Sequence, residues 1–296
     1  MSRRPSPSAG RPYGLKRVTA AWKVPRSTVY WRRHAPEGAP SKRGPKGACS
    51  DDVLALKARH VIDSSGFHGE GYRKVHRRLH LAGVPASKER VRRVLGQNNL
   101  LAPVRAGRPH GPKAHDGRIT TDRPDAMWGT DFTTTVTTGE GLAFVFIGVD
   151  HCTTECVGIH ASLEGHRFEA LEPLRQGVLE HFGSYDQGTA QGLVLRHDHG
   201  SQYMARDFQR ELAFLGIESS PAYVREPQGN GVAERFIKTL KENLLWVRRF
   251  ETVEELRLAL LDFKARYNSS WMVQKHGYLS PAQARLTLIA HQESAA

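Results

Sequence analysis

Cysteine is scarce in this chain, with three in 296 residues: Cys49, Cys152 and Cys156. Three thiols cannot build the disulfide framework of a secreted scaffold, which points to a reducing interior. Long apolar runs are missing as well. No stretch approaches the ~18 residues that mark a membrane-spanning helix, and mean hydropathy is −0.50. The opening Met-Ser-Arg-Arg-Pro-Ser-Pro lacks the apolar core of a secretory signal. No internal repeat is visible. These absences argue against a membrane protein and favour a cytoplasmic location.

Acids are rare in the front of the chain. Residues 1–124 hold 27 Lys and Arg against 8 Asp and Glu, whereas residues 125–296 hold 16 against 22. The formal net charge of +13 is therefore a front of +19 and a back of −6. A basic front suits a polyanion such as nucleic acid, and an acidic back suits a separate chemical task. A basic tail on an ordinary enzyme is the other reading of the same numbers.

The front divides into short pieces. Residues 1–13 are rich in Ser, Pro, Arg and Gly and read as a disordered basic arm. Within 14–47, Val18, Ala21 and Trp22 have helical spacing, and Lys23 to Ser27 reads as a turn. A second short helix comes next, through Arg33, either a helix-turn-helix or a plain helical hairpin, and a Gly/Pro/Ser linker comes after it. Residues 48–104 form a second helix-turn-helix candidate. Val75 and Leu79 face inward on one helix; Val91, Val94 and Leu95 do so on the next, which Ser87 can cap. The outward positions, Arg73, Lys74, Arg77 and Arg78, then Lys88, Arg90, Arg92 and Arg93, are expected to bind DNA. Residues 105–124 read as a basic linker.

From residue 125 the pattern becomes α/β. Met127–Thr137 alternates as a strand does, Gly139-Glu140-Gly141 is a hairpin turn, and Leu142–Val149 is a strand buried on both faces. Next come a strand at 155–161, a helix at 168–182, a strand at 193–197, helices at 201–215, a short strand at 217–219 and helices at 233–247 and 253–267. Three antiparallel strands and then alternating helices and strands make a mixed sheet. The expected core spans 125–250, with C-terminal helices in 251–296 completing it.

Three acids occupy unusual places. Asp131 lies within a strand, where a carboxylate is costly unless paired or metal-bound. Asp198 comes after an apolar strand, the usual mouth of an α/β site. Glu234 opens a helix after Pro227-Gln-Gly-Asn-Gly231. Each alone could be a surface carboxylate; together they suit a divalent cation, and oxygen-only ligands favour Mg²⁺ or Mn²⁺. At about 100° per residue, Lys238 and Lys241 fall within about 40° of Glu234. Phe236, Ile237, Leu240, Leu244 and Val247 fall on the opposite side. The two lysines are therefore expected beside a DNA phosphate, or as simple helix-surface partners of Glu234. Gly229 and Gly231 around Asn230 make a mobile entry loop or a turn with an N-cap.

The words Trp128-Gly-Thr-Asp131-Phe, His197-Asp198-His-Gly-Ser-Gln-Tyr203 and Gln228-Gly-Asn-Gly-Val-Ala-Glu234 resemble the retroviral-integrase-type catalytic core. Thirty-five residues separate Asp198 from Glu234, the D,D-35-E interval. From about residue 50 to 285 the chain resembles bacterial insertion-sequence transposases of family three, the second-reading-frame product. Gly71-Tyr72-Arg-Lys-Val-His76 resembles the helix-turn-helix before such cores, and Tyr267-Asn268 and Ser280-Pro281-Ala282 the C-terminal block. Many relatives carry Arg-x-His soon after Tyr-Asn. Here the chain continues Ser-Ser-Trp271-Met-Val-Gln-Lys275-His276, and no role is carried onto His276.

The resemblance implies an α/β, ribonuclease-H-like core preceded by small all-α helix-turn-helix segments. It implies that Asp131, Asp198 and Glu234 are catalytic and bind two Mg²⁺ or Mn²⁺ ions. The implied activity is 3′-end cleavage and strand transfer on double-stranded DNA, at terminal repeats and target, by a homo-oligomer near the nucleoid. An upstream-frame DNA-binding partner is implied too. A non-catalytic DNA-binding regulator derived from a transposase is the alternative. Zinc at His151, Cys152, Cys156 and His160 is not favoured, because the four need not converge. His76 and His80 lack a later Cys pair, His197-Asp198 sits after a strand rather than in the all-helical His-Asp phosphohydrolase setting, and Asp150 reads as a turn residue.

Overall fold

A computed structural model describes residues 3–34, 49–103, 119, 121–222 and 227–295. It divides into two compact units, residues 1–47 and 48–296. The linker expected at 37–47 and most of the one expected at 105–124 lie outside the described residues.

In the first unit, α1 (Gly14–Ala21) and α2 (Arg26–His34) flank a turn. Residues 3–13, expected to be disordered, instead fold into a turn closed by a bridge between Pro5 and Pro12. Ser6 N donates to Arg11 O, Tyr13 N donates to Arg4 O, and Gly10 supplies the positive φ of 59° that the reversal needs.

The second unit begins with α3 (Asp51–Ser64), α4 (Tyr72–Leu81) and α5 (Lys88–Gln97). The Ser50 and Ser87 hydroxyls cap α3 and α5 by accepting from Val53 N and Arg90 N. Leu54, Ala58, Val75, Leu79, Val91, Val94 and Leu95 close a small core among the three helices.

The sheet comes next: β1 (Met127–Thr137), β2 (Gly141–Asp150), β3 (Cys156–Ser162), α6 (Arg167–Phe182), β4 (Val194–His197), α7 (Ser201–Met204), α8 (Arg206–Leu215) and β5 (Glu218–Pro221). Strand order is β3-β2-β1-β4-β5. The first three strands pair antiparallel, while β4 runs parallel to β1 and β5 parallel to β4. This is the mixed α/β sheet that the sequence pattern predicts. The continuous apolar run of β2 has a direct cause: both its faces are covered. Ala143, Val145, Ile147 and Val149 meet α9 (Gly231–Leu240) and α10 (Val253–Ser270), whereas Phe146 joins Trp128 and Val157 under α6 and α8. Gly158 of β3 lies so close to Pro173 of α6 that any Cβ would strike the Pro173 carbonyl. The apolar alternation of β1 fails at its end, where Val136 and Leu142 are exposed at the hairpin tip.

The helix expected at 233–247 is α only to Leu240 and continues as a π-turn over Lys241–Leu245. A π-turn adds a residue to the helical repeat and rotates the side chains beyond it. Leu245 therefore turns inward and Val247, expected inside, is 54% exposed. The widened turn also buries Asn243, whose Oδ1 accepts from His68 N at 2.7 Å and whose Nδ2 donates to Thr239 O.

That bond is one of several fastening the three-helix segment to the sheet. Phe67 enters the sheet core edge-on to Phe263 and Trp271. Buried Glu70 takes two hydrogen bonds from Arg78, which also donates to Ser270 O, and Lys74 Nζ stands 2.9 Å from the centre of the Trp271 ring. At the other end, Arg285 of α11 (Pro281–Ala295) reaches Asp125 and Glu155, and Asp125 accepts from Trp128 Nε1. Replacing Phe67 by Ala removes a ring locked between two others and should lower unfolding stability by about 3–5 kcal/mol. Denaturant titration reads this, and a loss under about 1 kcal/mol would show that Phe67 does not bind the two parts together.

Candidate active site

Sheet register brings the first two acids together. Gly129 of β1 lies opposite Arg196 of the parallel β4. Asp131 and Asp198 stand two residues further along each chain, Asp131 still within β1 and Asp198 just past the end of β4. Glu234 lies in the first turn of α9, which packs on β1 and β2. The start of α9 is tied down beside Asp131, because Asn230 Nδ2 donates to Thr130 O at 2.9 Å. Asn230 therefore does not cap α9; its side chain holds the preceding 3-10 turn against β1.

The electrostatics register this convergence. Burial pushes the Asp131 carboxyl up to about 6, and the charges of Asp198 and Glu234 push the same way. The Phe132 N–H, donating to Asp131 Oδ1 at 2.8 Å, and nearby Lys241 pull it down. Burial also raises the Glu234 carboxyl. Asp198 Oδ1 accepts from Gly200 N at 2.8 Å. Asp131 is half-buried, while Asp198 and Glu234 are exposed. The acids thus edge an open surface, which suits a polymer better than a small enclosed substrate. A cavity of about 510 Å³ between α6 and α8, lined by Phe168, Arg175 and Tyr185 among others, contains none of the three.

Among the described residues, no trio of His, Cys, Asp or Glu is drawn close enough to hold an ion. Mutual repulsion favours such spacing between three carboxylates, and a cation between them reverses it. As donors, three carboxylates with one half-buried fit a hard divalent ion with open positions for phosphate oxygens and water.

Several residues that sequence inspection passed over support the acids from below. Buried Arg196 donates to Ser220 Oγ at 3.0 Å and underlies Gly229, where a Cβ would collide with its guanidinium. Gly129 likewise leaves no space, since a Cβ there would stand 2.7 Å from both Asn230 Oδ1 and His151 Nε2. A glycine two residues before a strand acid was the available signal. His197, whose imidazole pKa is pushed below its ordinary value by burial, bonds Asp198 O at 2.6 Å and Ser219 Oγ at 2.9 Å, so it braces the strand ends. Asp150 accepts from Thr153 N and Asp125 N and shapes the β2–β3 turn. His276 contacts Cys152 O and Lys275 donates to His151 O, so both fasten that turn. His160 bonds Glu169 and the Cys156 thiol contacts Gly158 O, with no convergence on His151.

With this geometry in place, residues 215–281 match the family model described as integrase core domain. Over 241 residues the chain is 29% identical to transposase InsD for insertion element IS2A/D/F/H/I/K of Escherichia coli, covering 79% of this chain and 78% of that one. It is 28% identical over 246 residues to an uncharacterized 48.2 kDa protein of insertion element IS2A from the same organism. That match covers 81% of this chain but only 57% of the relative's length. The chain is thus similar to insertion-element transposases, and its residues 215–281 are similar to integrase core domains. Among solved structures, the catalytic core of BIV integrase matches at 19% identity and a TM-score of 0.43, over 57% of this chain and 99% of that one. The HTLV-2 integrase catalytic core in complex with magnesium matches at 16% and 0.42, over 55% and 97%.

The transposase-like chain's basic residues are not all where their spacing placed them. Lys74, Arg78 and Arg90 were expected to face outward. Lys74 and Arg78 are spent on Glu70, Trp271 and Ser270 O, and burial lowers the Lys74 amine to about 7. Arg90 bonds Asp51 and Cys49 O. The reason is common to all three: α4 and α5 cover neighbouring structure on the flank expected to be open. Arg77 is half-buried, while Arg73, Lys88, Arg92 and Arg93 remain exposed. On α9, Lys238 is exposed one turn beyond Glu234, and Lys241 is half-buried within electrostatic reach of Asp131.

A carboxyl whose folded pKa stands above its ordinary value binds its proton more tightly in the folded chain. Its contribution to stability is therefore lost as pH rises from about 4 to about 6. Asp131→Asn removes that cost. In the absence of divalent metal the variant should be more stable than the parent at about pH 8, by up to about 3 kcal/mol. The difference should shrink to nothing near pH 4. Denaturant titration at both pH values checks it, and equal stability at the higher pH would leave Asp131 unstrained.

Proposed function

We propose that this chain is a DDE-type DNA transposase, performing metal-dependent 3′-end cleavage and strand transfer at the ends of an insertion element. The observation that carries the proposal is placement: β1–β4 register sets Asp131 beside Asp198, and α9, packed on β1, brings Glu234 in its first turn to the same open surface. Asp131, Asp198 and Glu234 would hold two Mg²⁺ or Mn²⁺ ions, which when bound stabilise the attacking and leaving oxygens of an in-line displacement. The protein's part is placement. β1 and β4 fix Asp131 and Asp198, and the Asn230–Thr130 bond sets where Glu234 enters. Lys238 and Lys241 offer positive charge on the Glu234 side of α9, for the phosphates flanking the scissile bond. Water displaces a 3′-oxygen from phosphorus, and the freed 3′-OH then displaces another in target DNA, with no covalent protein intermediate. Exposed Arg73, Lys88, Arg92 and Arg93 would grip the duplex, and a homo-oligomer would bring two ends together. An upstream-frame protein is a further partner, and the bacterial nucleoid would be the place of action. Among the described residues no helix is long and apolar enough to cross a membrane.

Asp131→Asn, Asp198→Asn and Glu234→Gln should each reduce Mg²⁺-dependent 3′-end nicking by at least ~10³-fold while DNA binding persists. Gel assays on terminal-repeat duplexes, with EDTA as control, read both. Full activity in any one variant removes that acid from the site; an inactive parent that still binds DNA favours the regulator.

Lys238→Ala with Lys241→Ala should lower the slope of log affinity against log salt by about 1.8, two phosphate contacts at about 0.9 each. An unchanged slope would return both lysines to the helix surface.

A further inference from the structure

Beyond Asp198 the chain passes through His199 and Gly200 into the single turn of α7. The backbone of that turn is pinned. Tyr203 N and Met204 N donate to Gly200 O at 3.0 and 3.1 Å, and Tyr203 O accepts from Gln209 Nε2 at 2.7 Å. The Tyr203 ring is wholly buried, 5.7 Å from the His197 ring and 5.4 Å from that of Phe208. Gln202 is carried inward with it and is 8% exposed, although a glutamine beside an open surface ordinarily reaches solvent. Its amide nitrogen is buried and makes no hydrogen bond of normal geometry. That nitrogen lies against the second acid. A Cβ at Gly200 would stand 2.5 Å from Gln202 Nε2 and 2.9 Å from Asp198 Oδ1, so both atoms converge on the space that the glycine leaves open. The Tyr203 hydroxyl is near Gln202 and Thr130 and feels the charges of Asp131 and Asp198.

We infer that Gln202 is a positioning residue whose amide holds the Asp198 carboxylate in the orientation that receives a divalent cation, an inference that rests on the proposed function for the presence of the cation. A buried amide donor without an acceptor is costly, and its retention calls for a partner in another state of the site. Of the groups beside Gln202 Nε2, Asp198 is the one whose state changes when a cation binds. A carboxylate that ligates through one oxygen leaves the other to outer donors, which fix its plane. Asp198 Oδ1 already accepts from Gly200 N at 2.8 Å, and Gln202 Nε2 brings a second donor to the same oxygen. Asp131 has a comparable neutral donor in the Phe132 N–H at 2.8 Å. The residue type suits the place. A lysine or arginine there would neutralise the charge that the cation needs, and a glutamate would repel the acid, whereas an amide orients it and leaves its charge intact.

The test is Mn²⁺ titration of the full chain, read by loss of the free ion's paramagnetic signal, with thermal unfolding in EDTA beside it. Gln202→Met keeps the length of the side chain and removes its polar atoms. It should weaken Mn²⁺ binding about 10- to 100-fold and raise the Mg²⁺ concentration for half-maximal nicking by a similar factor. The metal-free unfolding midpoint should stay level or rise, because the orphaned donor is gone. A glutamine that only packs against Tyr203 gives the reverse, a lower midpoint with parental Mn²⁺ affinity, and that result overturns the inference. Gln202→Glu keeps the shape and sets a like charge beside Asp198, so it should weaken Mn²⁺ binding as well; should Gln202→Met fail to fold, parental affinity in Gln202→Glu overturns the inference in its place. Asp198→Asn separates this role from the reading beneath it. If Asp198→Asn loses Mn²⁺ binding while Gln202→Met keeps it, the cation site stands and only Gln202 is removed. If Asp198→Asn titrates like the parent, Asp198 holds no cation, and the proposed function fails at that acid together with the role of Gln202.

Discussion

The Asp131 carboxylate, fixed within a hydrogen-bonded strand, feels the charges of Asp198 and Glu234, and much of the surrounding architecture holds the three in place. Left to themselves, carboxylates in this arrangement separate or protonate. Asp131 cannot separate, because its backbone pairs with β2 and the residues just before it, through Gly129, pair with β4. Glu234 is held near by a side-chain bond from Asn230 to the carbonyl of Thr130. The cost appears as an Asp131 carboxyl whose affinity for protons is far above the ordinary. A group so placed is equally ready for a divalent cation in the proton's stead.

The support beneath the acids is polar, buried and crowded. Arg196, His197, His151 and Asn230 pack where β1, β4 and the turn before α9 meet, and two glycines, Gly129 and Gly229, are the gaps that admit them. An added methyl at either glycine meets a guanidinium, an imidazole or an amide rather than space. Accurate placement of the acids thus depends on residues that bear no negative charge. The C-terminal segment contributes in the same way, since Lys275, His276 and Arg285 hold the far turn and the base of β1.

Much of this was legible in the sequence for a plain reason: period and position carry information about burial. The unbroken apolar run of β2 announced a strand covered on both faces, and the alternation of β1 placed Asp131 within a strand, where it stands half-buried. What escaped reading was what depends on contacts distant in the chain. Lys74 and Arg78 have the spacing of a solvated basic face, yet their partners, Trp271 and Ser270, lie nearly two hundred residues away. The π-turn at Lys241–Leu245 escaped as well, since local propensity does not distinguish a 3.6 repeat from one with an inserted residue. Its purpose shows only with Asn243 bonded to His68. Asn230, readable as a helix cap, was claimed instead by a strand carbonyl.

The fastening of the three-helix segment to the sheet by Phe67, His68 and Glu70 has a consequence for how a cut site would be chosen. A duplex gripped through α4 and α5 would meet the acids at a separation set by a rigid scaffold, not by a swinging arm. The position of cleavage would then be measured as a length from the bound repeat, and the base pairs at the scissile bond would need no readout of their own. The protein would act as a gauge block as much as a blade.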